Sequence, residues 1–432
     1  MAKLIVNGGK PLSGAITPSA NKNAVLPVLC ATLLTREVVT LRNVPDITDV
    51  RKILAFFTAL GSAVEADFSS GIVRLAHGRE LSAKAARLPI GMRSSIMLIP
   101  ALLQRFGRAL IEDDPKGCTL GAREIDPHID VFRAFGAEVS MQDEAIVIAA
   151  PRVLRPARHW LDYASVTTTE NFLMCAVVAA GESRLVNAAC EPHVQEFCRF
   201  LKLMGAQIDG IGASTLTIDG RAELGGADYS FADDHHEIAT FLALGAVTGG
   251  RVQVKNGAPA QFQLLDRTFA KFGVEVSHLG GWSRVGGGAP LKVQPAFTPH
   301  LPQKVEAAPW PYVPADLLPI FIALGVRAEG SVLFWNKVYE GALGWTSELT
   351  KFGAQAVTCD PHRVVTFGGR PLVPAEVESP YIIRVAIALL MIAASIEGRS
   401  TILNAEPIAR AHPRFVENLR SLGADVNWET AA

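Results

Sequence analysis

Six times along the chain, an apolar stretch of helical period ends on a glycine and passes at once into alternating residues. The six copies read FFTALGSAVEAD, VFRAFGAEVSMQ, FLKLMGAQIDGI, TFAKFGVEVSHL, ELTKFGAQAVTC and NLRSLGADVNWE. Their glycines are Gly61, Gly136, Gly205, Gly273, Gly353 and Gly423, separated by 68 to 80 residues. A glycine there can end a helix by turning left-handed, which a residue with a Cβ resists. The alternation that follows predicts a strand. Earlier in each copy lies a second apolar stretch rich in small residues: NKNAVLPVLCATLL, MRSSIMLIPALL, TTENFLMCAVVAA, HEIATFLALGAV, ADLLPIFIALGV and YIIRVAIALLMIAA. These are apolar nearly all round, so they predict six buried helices. A turn and a strand follow, as in EVVTLRNV, GRVQVKNG and GRSTILNA. The predicted unit is helix, strand, helix, strand, strand. A period of about 70 residues is too long for a solenoid and implies six α/β subdomain units.

Composition supports a large folded core. The 432 residues are 49% hydrophobic and 19% charged. The net charge of -1 argues against bulk nucleic-acid binding, and no nucleic-acid partner is expected. Six cysteines form no C-x-x-C pair, and Cys30 and Cys175 lie inside apolar runs, which fits a reducing compartment. The N-terminal MAKLIVNGGK lacks the apolar segment of a signal peptide. The longest apolar run, residues 385–396, is too short to span a bilayer. A cytoplasmic protein without a membrane partner is expected. No metal site is expected either: His235 and His236 are adjacent on a predicted helix start and point in different directions, and Cys190, His193 and Cys198 lack a zinc spacing.

Charge appears where the buried helices begin. Lys22, Arg93, Asp316 and Arg384 each stand at or near the mouth of one. A charge there needs a partner or a wet cavity. Three cations beside helix N-termini, which carry partial positive charge and free N–H groups, predict a site for a phosphate or carboxylate. Asp316 is the exception, a carboxylate fit to act as a general base or hydroxyl acceptor, or to cap its helix. A further polar segment, DDPKGCTLGAREIDPHID (residues 113–130), sets Cys118 between Gly117 and Gly121 and close to Lys116 and Arg123. Nearby cations favour a reactive thiol, and the glycines supply hinges.

The lysine–asparagine start of SANKNAVLPVLCATLL, the KGCTLGAR-x-x-D-x-H segment and the six-unit layout together resemble the enolpyruvyl transferase family over essentially the whole chain. The resemblance implies a two-domain inside-out α/β barrel with three units per domain. Domain I would comprise residues 22–232. Domain II would combine 1–21 with 233–432, with the substrates in the cleft between the two. It implies transfer of the enolpyruvyl group of phosphoenolpyruvate to an acceptor hydroxyl, with neither metal nor organic cofactor. By resemblance, Cys118, Asp316 and Lys22 are catalytic. Phosphoenolpyruvate contacts fall on Lys22, Asn23, Arg93, Arg123, Arg384 and Lys337. Nucleotide and sugar contacts fall on Arg93, Arg123, Glu124, Ile125, Asp126, Pro127, Tyr163, Ser165, Val166, Thr167, Asp316 and Leu333, and Glu191 matches a cleft-lining position. The implied partners are phosphoenolpyruvate and a uridine nucleotide or nucleotide-sugar. The resemblance is strongest to the branch that uses UDP-N-acetylglucosamine in peptidoglycan synthesis. Four places depart from the family pattern. Glu124 stands for a proline, Tyr163 for a lysine with Thr167 for a glycine, Lys337 for an arginine, and SPYIIR lacks the acidic residue that usually precedes the arginine, here Arg384. Lysine keeps the charge but not the bidentate fork. These changes cluster where the acceptor is expected, so another nucleotide acceptor such as UMP stays open.

Overall fold

All six repeat glycines take left-handed backbone, with φ between 75° and 100°. In each copy the residue after the glycine donates its amide back over the helix end. Ser62 reaches Phe57 O at 3.0 Å, Ala137 reaches Phe132 O at 3.0 Å, and Ala424 reaches Leu419 O at 3.0 Å. This bond satisfies a carbonyl the helix leaves open and turns the chain directly into the next strand.

The structure, a computed structural model, describes residues 2–82, 88–89, 92–111, 124–142, 145–151, 153–221, 223–298 and 300–430. Cys118 and Arg123 lie outside these, as does the side chain of Arg93. The described residues divide into two units, one of residues 20–111 and 124–232 and the other of residues 2–19 and 233–430.

The first repeat shows the predicted element order: helix Lys22–Thr32, strand Val39–Arg42, helix Thr48–Leu60, and strands Ala63–Asp67 and Ile72–Ala76. Its three strands pair antiparallel, and Ala227–Ser230 joins the edge in parallel. The pattern of an antiparallel trio plus one parallel strand recurs at Glu182–Val186 with Arg158–Trp160, at Arg251–Lys255 with Ser13–Ile16, and at Gly330–Asn336 with Gln303–Ala307. In the sixth sheet the N-terminal strand Ala2–Gly8 sits between Gly398–Leu403 and Asp425–Thr430. The sheets therefore stand outside and the apolar helices inside, an inside-out α/β barrel in each unit.

The inner helices are as buried as their sequences require. Every residue of His235–Val247 is buried, and so is every residue from Arg384 to Ala394 in helix Ile383–Ala394. These two and Leu318–Arg327 pack against one another at the centre of their unit. Close approach of sheet to helix depends on a second glycine series. A Cβ on Gly368 would lie 2.2 Å from Gly325 O, and one on Gly220 would lie 2.1 Å from Ala179 O. Three helices depart from expectation. The buried stretch of the fifth repeat begins as a 3-10 turn, Ala315–Leu317, ahead of helix Leu318–Arg327. The second buried stretch divides into a 3-10 turn, Arg93–Leu98, and a short α-helix, Ile99–Phe106 with Pro100 in its first turn. The glycine-capped helix of the fifth repeat, Gly344–Phe352, is 3-10 throughout.

Candidate active site

In the unit of residues 20–232, three of the predicted segments meet around His128. Asp126 opens the helix Asp126–Ala134, with Pro127 in its first turn, where no backbone N–H is missed. Two residues on, His128 is buried. Its Nδ1 accepts from the Asn171 amide at 2.9 Å, which leaves the proton on Nε2, facing the hydroxyls of Thr167 at 3.4 Å and Thr168 at 3.5 Å. The same Asn171 amide also donates to Ile96 O at 3.3 Å, in the turn that Arg93 opens. His128 and Asn171 thus tie the Arg93 turn, the Asp126 helix and the Val166–Ala176 helix together. The sequence sets His128 at the end of the segment, residues 124–128, expected to hold the nucleotide, and does not single out Asn171. The only signal was that His128 lies in the R-x-x-D-x-H segment.

Ser165 caps the Val166–Ala176 helix, and its hydroxyl lies 2.8 Å from that of Thr168. Glu124 and Asp126 are exposed, and Ile125, Val166 and Thr167 are half-buried. Tyr163 is exposed, as is Trp160 nearby in sequence. Lys22 is the first residue of its helix, which Asn21 caps by accepting from the Asn23 amide at 3.1 Å. Deeper in this unit, burial pushes the Glu170 carboxyl well above its ordinary range, and the neighbouring charge of Glu191 adds to the effect.

In the other unit, Arg384 is the second residue of its helix and is only 7% exposed. It donates to Thr240 Oγ1 at 3.4 Å, and that hydroxyl donates to His236 O at 2.7 Å. Asp316 sits in the 3-10 turn Ala315–Leu317 ahead of helix Leu318–Arg327. The N-cap residues of this turn and of the helix are Pro314 and Leu317, and Asp316, between them, is half-buried. Leu333 lies on strand Gly330–Asn336, opposite Lys304 and Val365. Lys337 is held by two neighbours. Its ammonium pairs with Glu306 at 2.5 Å and lies 4.3 Å from the Trp335 ring centre. An anion would have to compete with Glu306 for it.

His235 and His236 begin a helix, as expected, behind the capping carboxylate of Asp234. Asp234 is fully buried. Burial works against its charge, yet Arg384, His412 and His235 together hold its carboxyl below the usual range. Asp234, Glu237 and His412 bring ligand-type atoms to within 4.8 Å of one another.

The chain matches known proteins end to end. The family model for EPSP synthase (3-phosphoshikimate 1-carboxyvinyltransferase) matches residues 6–419. The chain belongs to this family of enolpyruvyl transferases. A UDP-N-acetylglucosamine 1-carboxyvinyltransferase of Bradyrhizobium diazoefficiens is 38% identical over 98% of this chain and 97% of its own. One of Borreliella burgdorferi is 36% identical over 99% of both chains. Among solved structures, the enolpyruvyl transferase NikO of Streptomyces tendae has a TM-score of 0.86 at 24% identity, over 100% of this chain and 99% of its own. EPSP synthase of Acinetobacter baumannii has a TM-score of 0.76 at 16% identity, over 100% of both chains. These two likenesses bear on the fold. The chain is thus a transferase of the 1-carboxyvinyl class. No helix among the described residues is long and apolar enough to cross a membrane.

Proposed function

We propose that this enzyme transfers the enolpyruvyl group of phosphoenolpyruvate to the 3-hydroxyl of UDP-N-acetylglucosamine, releasing phosphate, at the entry to peptidoglycan synthesis in the cytoplasm. The observation that carries the reading is the end-to-end identity of 36–38% with 1-carboxyvinyltransferases named for that acceptor.

In this reading, Lys22, Asn23, Arg93, Arg123 and Arg384 hold the phosphate and carboxylate of phosphoenolpyruvate. Cys118 acts as the acid, either directly at the terminal methylene carbon or in product release. The acceptor hydroxyl attacks the central carbon and gives its proton to Asp316. The tetrahedral adduct then loses a proton from the new methyl group and expels phosphate, restoring the double bond on the ether product. Asp126, Pro127 and the Ser165–Thr167 segment hold the nucleotide. His128 keeps those two segments in register from beneath.

Phosphate release from phosphoenolpyruvate, measured with UDP-N-acetylglucosamine and separately with UMP, tests the proposal. Release with the nucleotide-sugar alone is expected. Release with UMP alone would transfer the reading to a nucleotide acceptor, which the exposed Glu124 and Tyr163 would then have to accommodate. Release with neither would overturn enolpyruvyl transfer to either acceptor.

A further inference from the structure

The start of helix His235–Val247 holds a charge arrangement that the proposed transfer does not use. Asp234 caps this helix and Glu237 lies in its first turn, three residues on and therefore on the same face. Between them and the end of helix Glu406–Ala411 lies His412, fixed by its amide bond to Ile408 O at 2.8 Å. The three residues are at most 2% exposed. Asp234 Oδ1 accepts from the amides of His236 and Glu237, and Glu237 Oε2 accepts from the Ser19 amide at 3.1 Å. Glu237 Oε1 and both ring nitrogens of His412 make no hydrogen bond among the described residues.

Buried carboxylate and imidazole atoms are rarely left this way, because a lost hydrogen bond is not recovered from water. Two carboxylates side by side also repel each other. Arg384 supplies one positive charge to Asp234. With His412 neutral, the group of Asp234, Glu237 and Arg384 still carries one excess negative charge. A bound cation would balance it.

We propose that Asp234, Glu237 and His412 bind one first-row divalent transition ion such as Zn²⁺, Mn²⁺ or Co²⁺. One imidazole nitrogen with two carboxylate oxygens suits ions of intermediate softness. Two donors sharing such an ion lie about 3.0–3.4 Å apart, given metal–ligand bonds of about 2.1 Å. His412 Nδ1 and Glu237 Oε2 already stand 3.4 Å apart. The ion would tie the start of one buried helix to the end of a helix more than 160 residues later in the chain. The remaining coordination positions would be open to water or an anion.

The test uses the full chain, stripped with a chelator and titrated with Co²⁺ by absorbance and with Zn²⁺ by calorimetry. One equivalent is expected, with a cobalt spectrum of nitrogen and oxygen ligation and a rise in melting temperature with the ion. His412→Gln and Glu237→Gln, each checked for native circular dichroism, should weaken binding at least about tenfold. A thiolate charge-transfer band, the absence of stoichiometric uptake, or affinity unchanged in both variants would each overturn the site. If a variant does not fold, the wild-type cobalt spectrum and stoichiometry alone decide.

Discussion

Replacing His128 tests whether the segments assigned to the acceptor are held from beneath. In His128→Ala the 2.9 Å bond from Asn171 is lost and so are two long contacts to threonine hydroxyls. One good hydrogen bond is worth about 1 kcal/mol, and the hole left by a buried ring adds more, for a total of about 2–4 kcal/mol. In a folding unit of about 200 residues, each kcal/mol moves the melting temperature by about 2–4 °C, so a drop of roughly 4–16 °C is expected. His128→Asn places an oxygen near the position of Nδ1 and should recover about 1 kcal/mol of the loss. Thermal unfolding followed by circular dichroism measures both. The kinetic signature is separate. The KM for the acceptor should rise about tenfold, the equivalent of 1.4 kcal/mol, while the KM for phosphoenolpyruvate stays near wild type. An alanine variant that melts within about 1 °C of wild type, or an asparagine variant no better than alanine, would refute the reasoning.

Two further predictions concern buried titrating groups in the same unit. Burial, reinforced by Glu191, raises the Glu170 carboxyl above its ordinary 4.5. The folded state therefore holds that proton more tightly than the unfolded state, and stability falls as pH rises above 4.5. Glu170→Gln escapes this loss, so its advantage in urea midpoint over wild type should be larger at pH 8 than at pH 5; an equal gap at the two pH values would contradict it. His77 behaves in the opposite sense. Burial, with Arg105 adding to it, lowers its pKa from 6.5 to about 3, and its ring bonds Ser62 at 2.8 Å and Thr32 at 3.0 Å. The folded state resists protonation, so stability is full above 6.5 and is lost as pH falls toward 3, by roughly 3 kcal/mol at pH 4.5. His77→Gln should flatten that acid limb of the pH–stability curve; an unchanged acid slope would count against the assignment.

What the sequence made legible was whatever repeats. A left-handed helix end demands glycine, so Gly61 and its five counterparts announced the six units and the element order within them. The inner helices were equally plain, because a stretch without a polar face can only be buried. The second glycine series was not. Gly220 and Gly368 are small because a helix carbonyl lies against them, and that contact is made between distant segments. Their neighbours in sequence carry no trace of it. The same holds at the site. Lys22, Arg384 and Asp316 could be placed at helix starts from local pattern alone. The link from His128 to Asn171, and the meeting of Asp234 and Glu237 with His412, depend on how helices pack, and no spacing rule encodes that. The pairing of Lys337 with Glu306 is likewise set by which strands lie side by side, not by local pattern.

The strand Ala2–Gly8 lies at the centre of a sheet whose other strands all come from residues 376–430. During synthesis this strand is made long before its partners and must wait for them. At about 5–20 residues per second that interval is roughly 20–80 s. Through it the unit of residues 20–232 can complete its three sheets, while the first segment stays an unpaired apolar strand open to wrong partners. The time between translation and assembly is therefore when this chain most needs protection. A variant that carries residues 2–19 behind residue 430 would make residues 2–8 only after the strands they pair with and so remove the wait.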